Sequence, residues 1–393
     1  MFDTLGNVLS IPTKIKFGAG LIKDLGTNVV PYGKKAMLLH DPFLKGSDLV
    51  KEIVADLKTN GIDCVIFDDV SPNPRNTVID TAVDLCVKEN CDMVIGIGGG
   101  SAIDSAKAIA IVAKNGGKCW EYVRTANGCR EPEKGKLPMI AVPTTAGTGT
   151  EATPFSVINN PSLGFKATIC DDLACPTISI VDPELMVTMP PSVTALTGID
   201  AFAHSFEAYT SSVESPLMEV VALESMRLFI NNIERAVENG HDIEARSNMA
   251  LCSTYGGMAI AHMCTTMPHA LGQALGGITD APHGGTIATC INKVIEWTLP
   301  QGEAKFAKVA ELFDESIKGL SNAEKAAKLP GYIEKLFTKI MGGKPITMSS
   351  YGMTEENLPK LVDLVMDFYY GDALLNPKQP TKEDVYEVAK ASL

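Results

Sequence analysis

Six histidines occur in this 393-residue chain, at 40, 204, 241, 262, 269 and 283, so the neighbours of each imidazole can be weighed one by one. His204 closes the run Gly198-Ile199-Asp200-Ala201-Phe202-Ala203-His204, with an aspartate four residues before it. On a helix that spacing puts both side chains on one face. A charged Asp in a mostly apolar stretch needs a partner or a metal. For the pair alone two readings stand: a helix-borne Asp bonded to a neighbouring His, or half of a metal site. His269 in Met267-Pro268-His269-Ala270-Leu271-Gly272-Gln273 and His283 in Asp280-Ala281-Pro282-His283-Gly284-Gly285 each follow a proline, in segments rich in glycine that let the chain turn back. One carboxylate and three neutral imidazoles would suit Fe²⁺ or Zn²⁺, although any one of these histidines alone is more often a satisfied core or surface residue. His241 reads as an exposed loop residue and His262 as packing near the site, while His40 could lie near a nucleotide.

A second chemistry is carried by glycines. Met93-Val94-Ile95-Gly96-Ile97-Gly98-Gly99-Gly100-Ser101-Ala102-Ile103-Asp104 runs from an apolar strand through glycines into a helix, where a close-lying backbone and free N–H groups attract a pyrophosphate. Ser101 with Asp104 reads as a capping-box variant. A tight turn without a ligand is the bland alternative. Asp41, at the end of an earlier strand, could bond ribose hydroxyls and repel a 2′-phosphate, favouring NAD over NADP, or could simply start a turn before Pro42. After the strand at Met139, Pro143-Thr144-Thr145-Ala146-Gly147-Thr148-Gly149-Thr150-Glu151 offers four hydroxyls at a strand's carboxyl end, where ligands of open α/β sheets sit.

The elements that must position these residues follow from periodicity. Strands are expected at 36–39, 64–67, 93–97, 139–142 and 177–181, alternating with helices at 48–59, 77–89 and 101–114, the pattern of a doubly wound parallel sheet. After Val181 the strand signal stops and helical spacing dominates, broken at Asn239-Gly240, Gly276-Gly277, Gly342-Gly343 and Asn376-Pro377. The expected organisation is an α/β dinucleotide-binding domain over 1–185 and an all-α domain over 186–393.

Composition narrows the rest. Hydrophobic residues at 45% and charged residues at 21% exclude a long disordered region. A net charge of −13 argues against nucleic acid and anionic membranes as partners. Neither a basic leader with a long apolar run nor a spanning stretch is apparent, so the chain reads as cytoplasmic. Ten scattered cysteines without a CxxC pair read as free thiols.

Taken together, GGGSAIDSAKA, PTTAGTGTE, GIDAFAHSFEAY and two PH motifs fourteen residues apart resemble the iron-dependent (group III) alcohol dehydrogenases, in order and spacing from about Phe17 to His283. The resemblance implies a Rossmann-like dinucleotide domain, a helical metal domain of dehydroquinate synthase-like architecture, and an active site in the cleft between them. It implies NAD and Fe²⁺, with Zn²⁺ as an alternative ion, a small alcohol or aldehyde as substrate, and at least a homodimer. Carried over by position, Asp200, His204, His269 and His283 look like metal ligands. Asp41, Asn73, Gly98, Gly99, Gly100, Ser101, Asp104, Thr144, Thr145, Thr148 and Lys166 look like cofactor contacts. Phe155 is expected to line the substrate pocket. Many members carry a histidine four residues after the third ligand to relay the alcohol proton; this chain has Gln273, which hydrogen-bonds but does not titrate near neutral pH and would instead orient substrate. Two rival readings are an NAD-recycling lyase resembling dehydroquinate synthase, which would want more basic residues around its site, and a nucleotide-binding structural or sensor protein that has lost catalysis.

Overall fold

The structure, a computed structural model, describes residues 9–125 and 128–393. Contacts divide it into two compact units: Ser10–Thr145 with Gly149–Val187, and Ala146–Thr148 with Thr188–Leu393.

In the first unit the strands are β1 (Lys14–Phe17), β2 (Lys35–His40), β3 (Asp63–Phe67), β4 (Met93–Gly98), β5 (Met139–Pro143), β6 (Phe155–Asn160), β7 (Phe165–Cys170) and β8 (Ile178–Val181). Six of them form one sheet in the order β1-β8-β5-β4-β2-β3, with every pairing parallel. Helices α1 (Leu25–Val29) and α2 (Asp48–Thr59) contribute Val29, Ile53 and Leu57 to a core on one face. On the other face α3 (Asn76–Lys88) and α4 (Gly100–Asn115) contribute Ile79, Val83, Ile103 and Ile109. A strand covered on both sides is apolar at every position, which is why Met93-Val94-Ile95 has no alternation. The expected doubly wound sheet is present. Because β2 is followed outward by β3 while β4 lies on its other side, the chain direction reverses between β2 and β4, and the crevice beyond their carboxyl ends is where such sheets hold ligands.

Three strands were not anticipated. β1 is a half-exposed edge of four residues with no apolar run. β6 and β7 form a separate antiparallel hairpin. The turn residues Asn160-Pro161-Ser162-Leu163-Gly164 were the legible hairpin signal; β6 buries Ser156, Ile158 and Asn160, so apolar alternation did not announce it.

The second unit is helical, as expected: α5 (Pro191–Thr210), α6 (Pro216–Glu238), α7 (Ile243–Met263), α8 (Met267–Thr279), α9 (His283–Ala288) and α10 (Ile291–Phe313), with further helices over Leu329–Ile340, Leu358–Leu364 and Lys382–Ala391. Helix α5 is central and packs against α6, α7 and α9. Its Phe202 ring meets Phe229 at 5.0 Å and Phe337 at 5.7 Å. Gly198 has no room for a side chain, since a Cβ there would lie 2.4 Å from Ile233 Cδ1. Arg246 is completely buried and ties the start of α5 in place, donating to the Thr194 hydroxyl (2.8 Å) and the Met189 carbonyl (3.1 Å). Gly276-Gly277, expected to break the helix, lies inside α8, which ends only at Asp280 with φ +54°. Tertiary packing of α8 against α9 overrides the glycine propensity cost of ~1 kcal/mol per residue.

Candidate metal and cofactor site

The two prolines before the histidines start helices. Pro268 lies in the first turn of α8 and Pro282 precedes α9, positions where the missing N–H costs nothing, so His269 and His283 both sit at helix N-termini. The nearby glycines serve close approach. A Cβ on Gly284 would lie 2.0 Å from the Leu196 carbonyl oxygen, and one on Gly272 would lie 2.8 Å from Ile287 Cγ1. With only hydrogens there, α9 presses onto α5 and α8, which carries His283 to Asp200.

One oxygen, Asp200 Oδ1, is the focus. The Nε2 atoms of His204, His269 and His283 each lie 3.7 Å from it. Asp200, His269 and His283 offer ligand atoms within 4.8 Å of one another. A separation of 3.7 Å is too long for a hydrogen bond. Asp200 Oδ1 and His269 Nε2 are buried without a hydrogen-bond partner. Buried polar atoms are rarely left so. A tetrahedral edge of 3.7 Å corresponds to a centre-to-ligand distance of about 2.3 Å, close to the roughly 2.0–2.2 Å of imidazole and carboxylate bonds to a divalent ion, so Asp200, His269 and His283 fit a metal, while His204, at the same distance from the Asp200 oxygen, stands outside that mutually close trio. Asp200, His204 and His269 are buried while the His283 side chain is 42% exposed, so the cluster opens on its His283 side.

The charges of the cluster act strongly on one another. Burial pushes the Asp200 carboxyl up, but the imidazoles of His204, His283 and His269 outweigh it and hold it well below the ordinary carboxylate range. Burial pushes the His269 imidazole down, but the Glu207 and Asp200 carboxylates outweigh it and raise it to about 10. Burial pushes His204 down, and its Nδ1 faces the Gly147 carbonyl at 3.3 Å. Gly147 reaches α5 because it lacks a side chain, a Cβ there falling 2.7 Å from Thr197 Cβ.

In the α/β unit, Asp41, Gly98 to Gly100, Thr144 and Thr145 lie at the carboxyl ends of β2, β4 and β5. Asp41 Oδ2 accepts from the Gly99 N–H at 2.7 Å, and a Cβ on Gly98 (φ +150°) would lie 2.4 Å from the same oxygen. Asp41 also precedes a short turn over Pro42–Leu44, so it does both things its sequence allowed. Burial raises its carboxyl, against the lowering effect of Gly99 and His40. The Thr144 N–H donates to the Gly98 carbonyl at 2.9 Å, and Thr144 Oγ1 is buried without a hydrogen-bond partner. Thr145 lies 3.4 Å from where a Gly99 Cβ would be. Gly100 and Ser101 are the first two residues of α4. Lys166 on β7 donates to Asn73 Oδ1 at 2.6 Å, so these two converge on each other. Thr148 belongs to the segment that groups with the helical unit. Phe155 begins β6 opposite Cys170 and is partly buried. Gln273 is partly buried on α8, one turn beyond His269.

Asp104 departs from expectation. Gly99 is the N-cap of α4, with no side-chain cap. The Asp104 carboxylate faces inward instead, accepting from the Thr150 hydroxyl (2.5 Å) and the Val157 N–H (3.0 Å). It braces the threonine loop, with both of its oxygens engaged within the protein. Lys107 was missed: its buried ammonium bonds Thr150 Oγ1 (2.7 Å), Thr153 O (3.0 Å) and Phe155 O (2.7 Å). Lys107 follows Asp104 by three residues amid Ala and Ile on every face of α4, and that was the available signal. Among the histidines, His241 is exposed and His262 Nδ1 faces the Met258 carbonyl at 2.7 Å.

Residues 12–183 match the iron-containing alcohol dehydrogenase domain family, and residues 194–393 match its C-terminal domain family. The chain belongs to the iron-containing alcohol dehydrogenases. It is 34% identical over 384 residues to the NAD-dependent methanol dehydrogenase of Bacillus methanolicus, covering 98% of this chain and 99% of that one. It is also 34% identical over 391 residues to the 1,3-propanediol dehydrogenase of Klebsiella pneumoniae, covering 98% and 97%. The crystal structure of an archaeal halo-thermophilic alcohol dehydrogenase from a Red Sea brine pool superposes with a TM-score of 0.92 at 30% identity, over 98% of both chains. All ten cysteines are free thiols, and no helix among the described residues is long and apolar enough to cross a membrane.

Proposed function

We propose that this member of the family catalyses RCH₂OH + NAD⁺ ⇌ RCHO + NADH + H⁺ on a short primary alcohol, diol or aldehyde. The observation that carries the reading is the convergence of three imidazoles on one buried aspartate oxygen. The dinucleotide belongs to the α/β domain that the sequence bounds at 1–185, and the ion to the helical domain bounded at 186–393. Bound metal supplies Lewis acidity toward the substrate oxygen and NAD(H) supplies the hydride chemistry. Asp200, His204, His269 and His283 hold Fe²⁺, or Zn²⁺ in its place. Gly98 to Gly100 and Ser101 would hold the pyrophosphate at the start of α4, where the Gly99 N–H is already taken by Asp41. Thr144, Thr145 and Thr148 present hydroxyls to the cofactor, and Asn73 with Lys166 completes its contacts. Phe155 and Gln273 shape the substrate end. Gln273 donates and accepts hydrogen bonds without titrating, so the alcohol proton leaves through water or the ribose hydroxyls. The thiols support a reducing, cytoplasmic location, and the family likeness supports a homodimer or larger homo-oligomer.

The test is a panel of short aldehydes and hydroxyaldehydes with NADH, on protein reconstituted separately with Fe²⁺ and Zn²⁺. Metal-dependent NADH oxidation is expected. Turnover with no net change in NADH would replace this reading with the NAD-recycling lyase, and cofactor binding with neither metal uptake nor oxidation would replace it with a sensor.

Asp41 sets the choice of dinucleotide in this reading. Asp41→Asn keeps an acceptor for the Gly99 N–H but removes the charge facing a 2′-phosphate. The ratio of kcat/KM for NADPH to that for NADH should rise by on the order of 10-fold or more. An unchanged ratio would place the ribose elsewhere.

A further inference from the structure

Glu207 stands two turns beyond Asp200 on α5 and is fully buried. Its two oxygens do different things. Oε2 accepts from the Thr266 N–H (2.7 Å), the Thr266 hydroxyl (3.2 Å) and the His269 N–H (3.3 Å). These groups open α8, whose N-cap residue Thr266 provides no side-chain cap of its own. Oε1 lies 2.5 Å from His269 Nδ1. A carboxylate only accepts, so Nδ1 carries a proton and Nε2 is the ring atom turned toward Asp200.

Resting on the assignment of His269 as a metal ligand, we propose that Glu207 is a positioning residue for the metal centre. It fixes the tautomer and ring orientation of His269 so that Nε2 is delivered as a ligand. Glu207 touches neither substrate nor ion and acts through His269 alone.

The bland alternative is that Glu207 merely caps α8, and the two oxygens allow the roles to be separated. In Glu207→Gln the amide oxygen takes the side crowded with three donors, because an NH₂ group there would oppose them. The amide NH₂ is then left facing His269 Nδ1. It can only donate, so Nδ1 becomes the acceptor and the proton moves to Nε2, the atom that must bind the ion. Capping survives while ligation is impaired. Outer partners of this kind are typically worth about 10–100-fold in metal affinity.

The experiment measures Zn²⁺ affinity by chelator competition and metal-free Tm for wild type, Glu207→Gln, Glu207→Ala and Asp200→Asn. It adds ¹⁵N NMR of the His269 ring in Zn²⁺-loaded wild type. Expected are a 10–100-fold loss of Zn²⁺ affinity in Glu207→Gln with a metal-free Tm near that of wild type, a lowered Tm in Glu207→Ala, and a protonated Nδ1 on His269 in the wild type. Wild-type affinity in Glu207→Gln, or an unprotonated Nδ1 in wild type, overturns the proposal. An unprotonated Nδ1 overturns it even if Glu207→Gln folds poorly. If wild type binds no Zn²⁺, or Asp200→Asn binds it as tightly, the metal assignment itself has failed. If only Glu207→Gln behaves as wild type, the positioning role alone has failed.

Discussion

Asp200→Asn protein is expected to fold but to hold little iron, and its turnover with aldehyde and NADH should fall by on the order of 10³-fold or more, since Lewis-acid activation is worth several kcal/mol. The reason is geometric. Asp200 Oδ1 lies 3.7 Å from the Nε2 atom of each of the three imidazoles. An amide keeps the shape and removes the charge that offsets a divalent cation in a buried site. His269→Ala should likewise lower metal content and turnover together, because it deletes the other orphaned ligand atom. The checks are metal content by elemental analysis, far-UV circular dichroism for folding, and NADH oxidation. Native-like metal content with full activity in either variant would dismantle the mechanism.

Lys107→Met is expected to lose about 3–5 kcal/mol of stability at neutral pH, the usual cost of breaking a buried charge network by removing one partner. Lys107 is 1% exposed, and its removal leaves the Phe155 and Thr153 carbonyls without their donor and Asp104 without its counter-charge. The same ammonium holds Thr150, which in turn bonds Asp104, so KM for NAD(H) should rise as the threonine loop loosens.

The pH dependence has a definite sign. Burial lowers Lys107 to about 8, against the opposing pull of Asp104, while an unfolded lysine titrates near 10.5. Between these values the unfolded chain binds more protons, so stability contributed by this group rises with pH from about 8 to 10.5 and is lost as pH falls through 8. Denaturant titrations of wild type and Lys107→Met should therefore diverge across that window, with wild type gaining. Parallel curves would mean that the lysine is not desolvated as the structure has it.

Local sequence determined a good deal. Strands buried on both faces are continuous apolar runs, so β2, β4 and β5 announce themselves, and glycines at the end of β4 mark where backbone meets ligand. The spacing of Asp200 and His204 on one helix face is fixed by the 3.6-residue turn whatever surrounds it. The prolines before His269 and His283 are helix-start signals that place both imidazoles in first turns. The relations between distant segments were beyond it. That His283 reaches Asp200 depends on Gly284 lying against the Leu196 carbonyl, a contact between α9 and α5 across nearly ninety residues. Asp104 has the residue type and spacing of a cap, and only the position of Thr150 and Val157 turns it inward. Lys107 stands out as a charge amid Ala and Ile, but its partners are set only when β6 closes over it, and Glu207 reads as another polar residue near the end of α5 until α8 brings its first turn to it. Periodicity reports which face of an element is buried, because that is a property of neighbours in the chain. Which buried polar groups find each other is decided by packing, where a single missing Cβ sets how closely two helices meet.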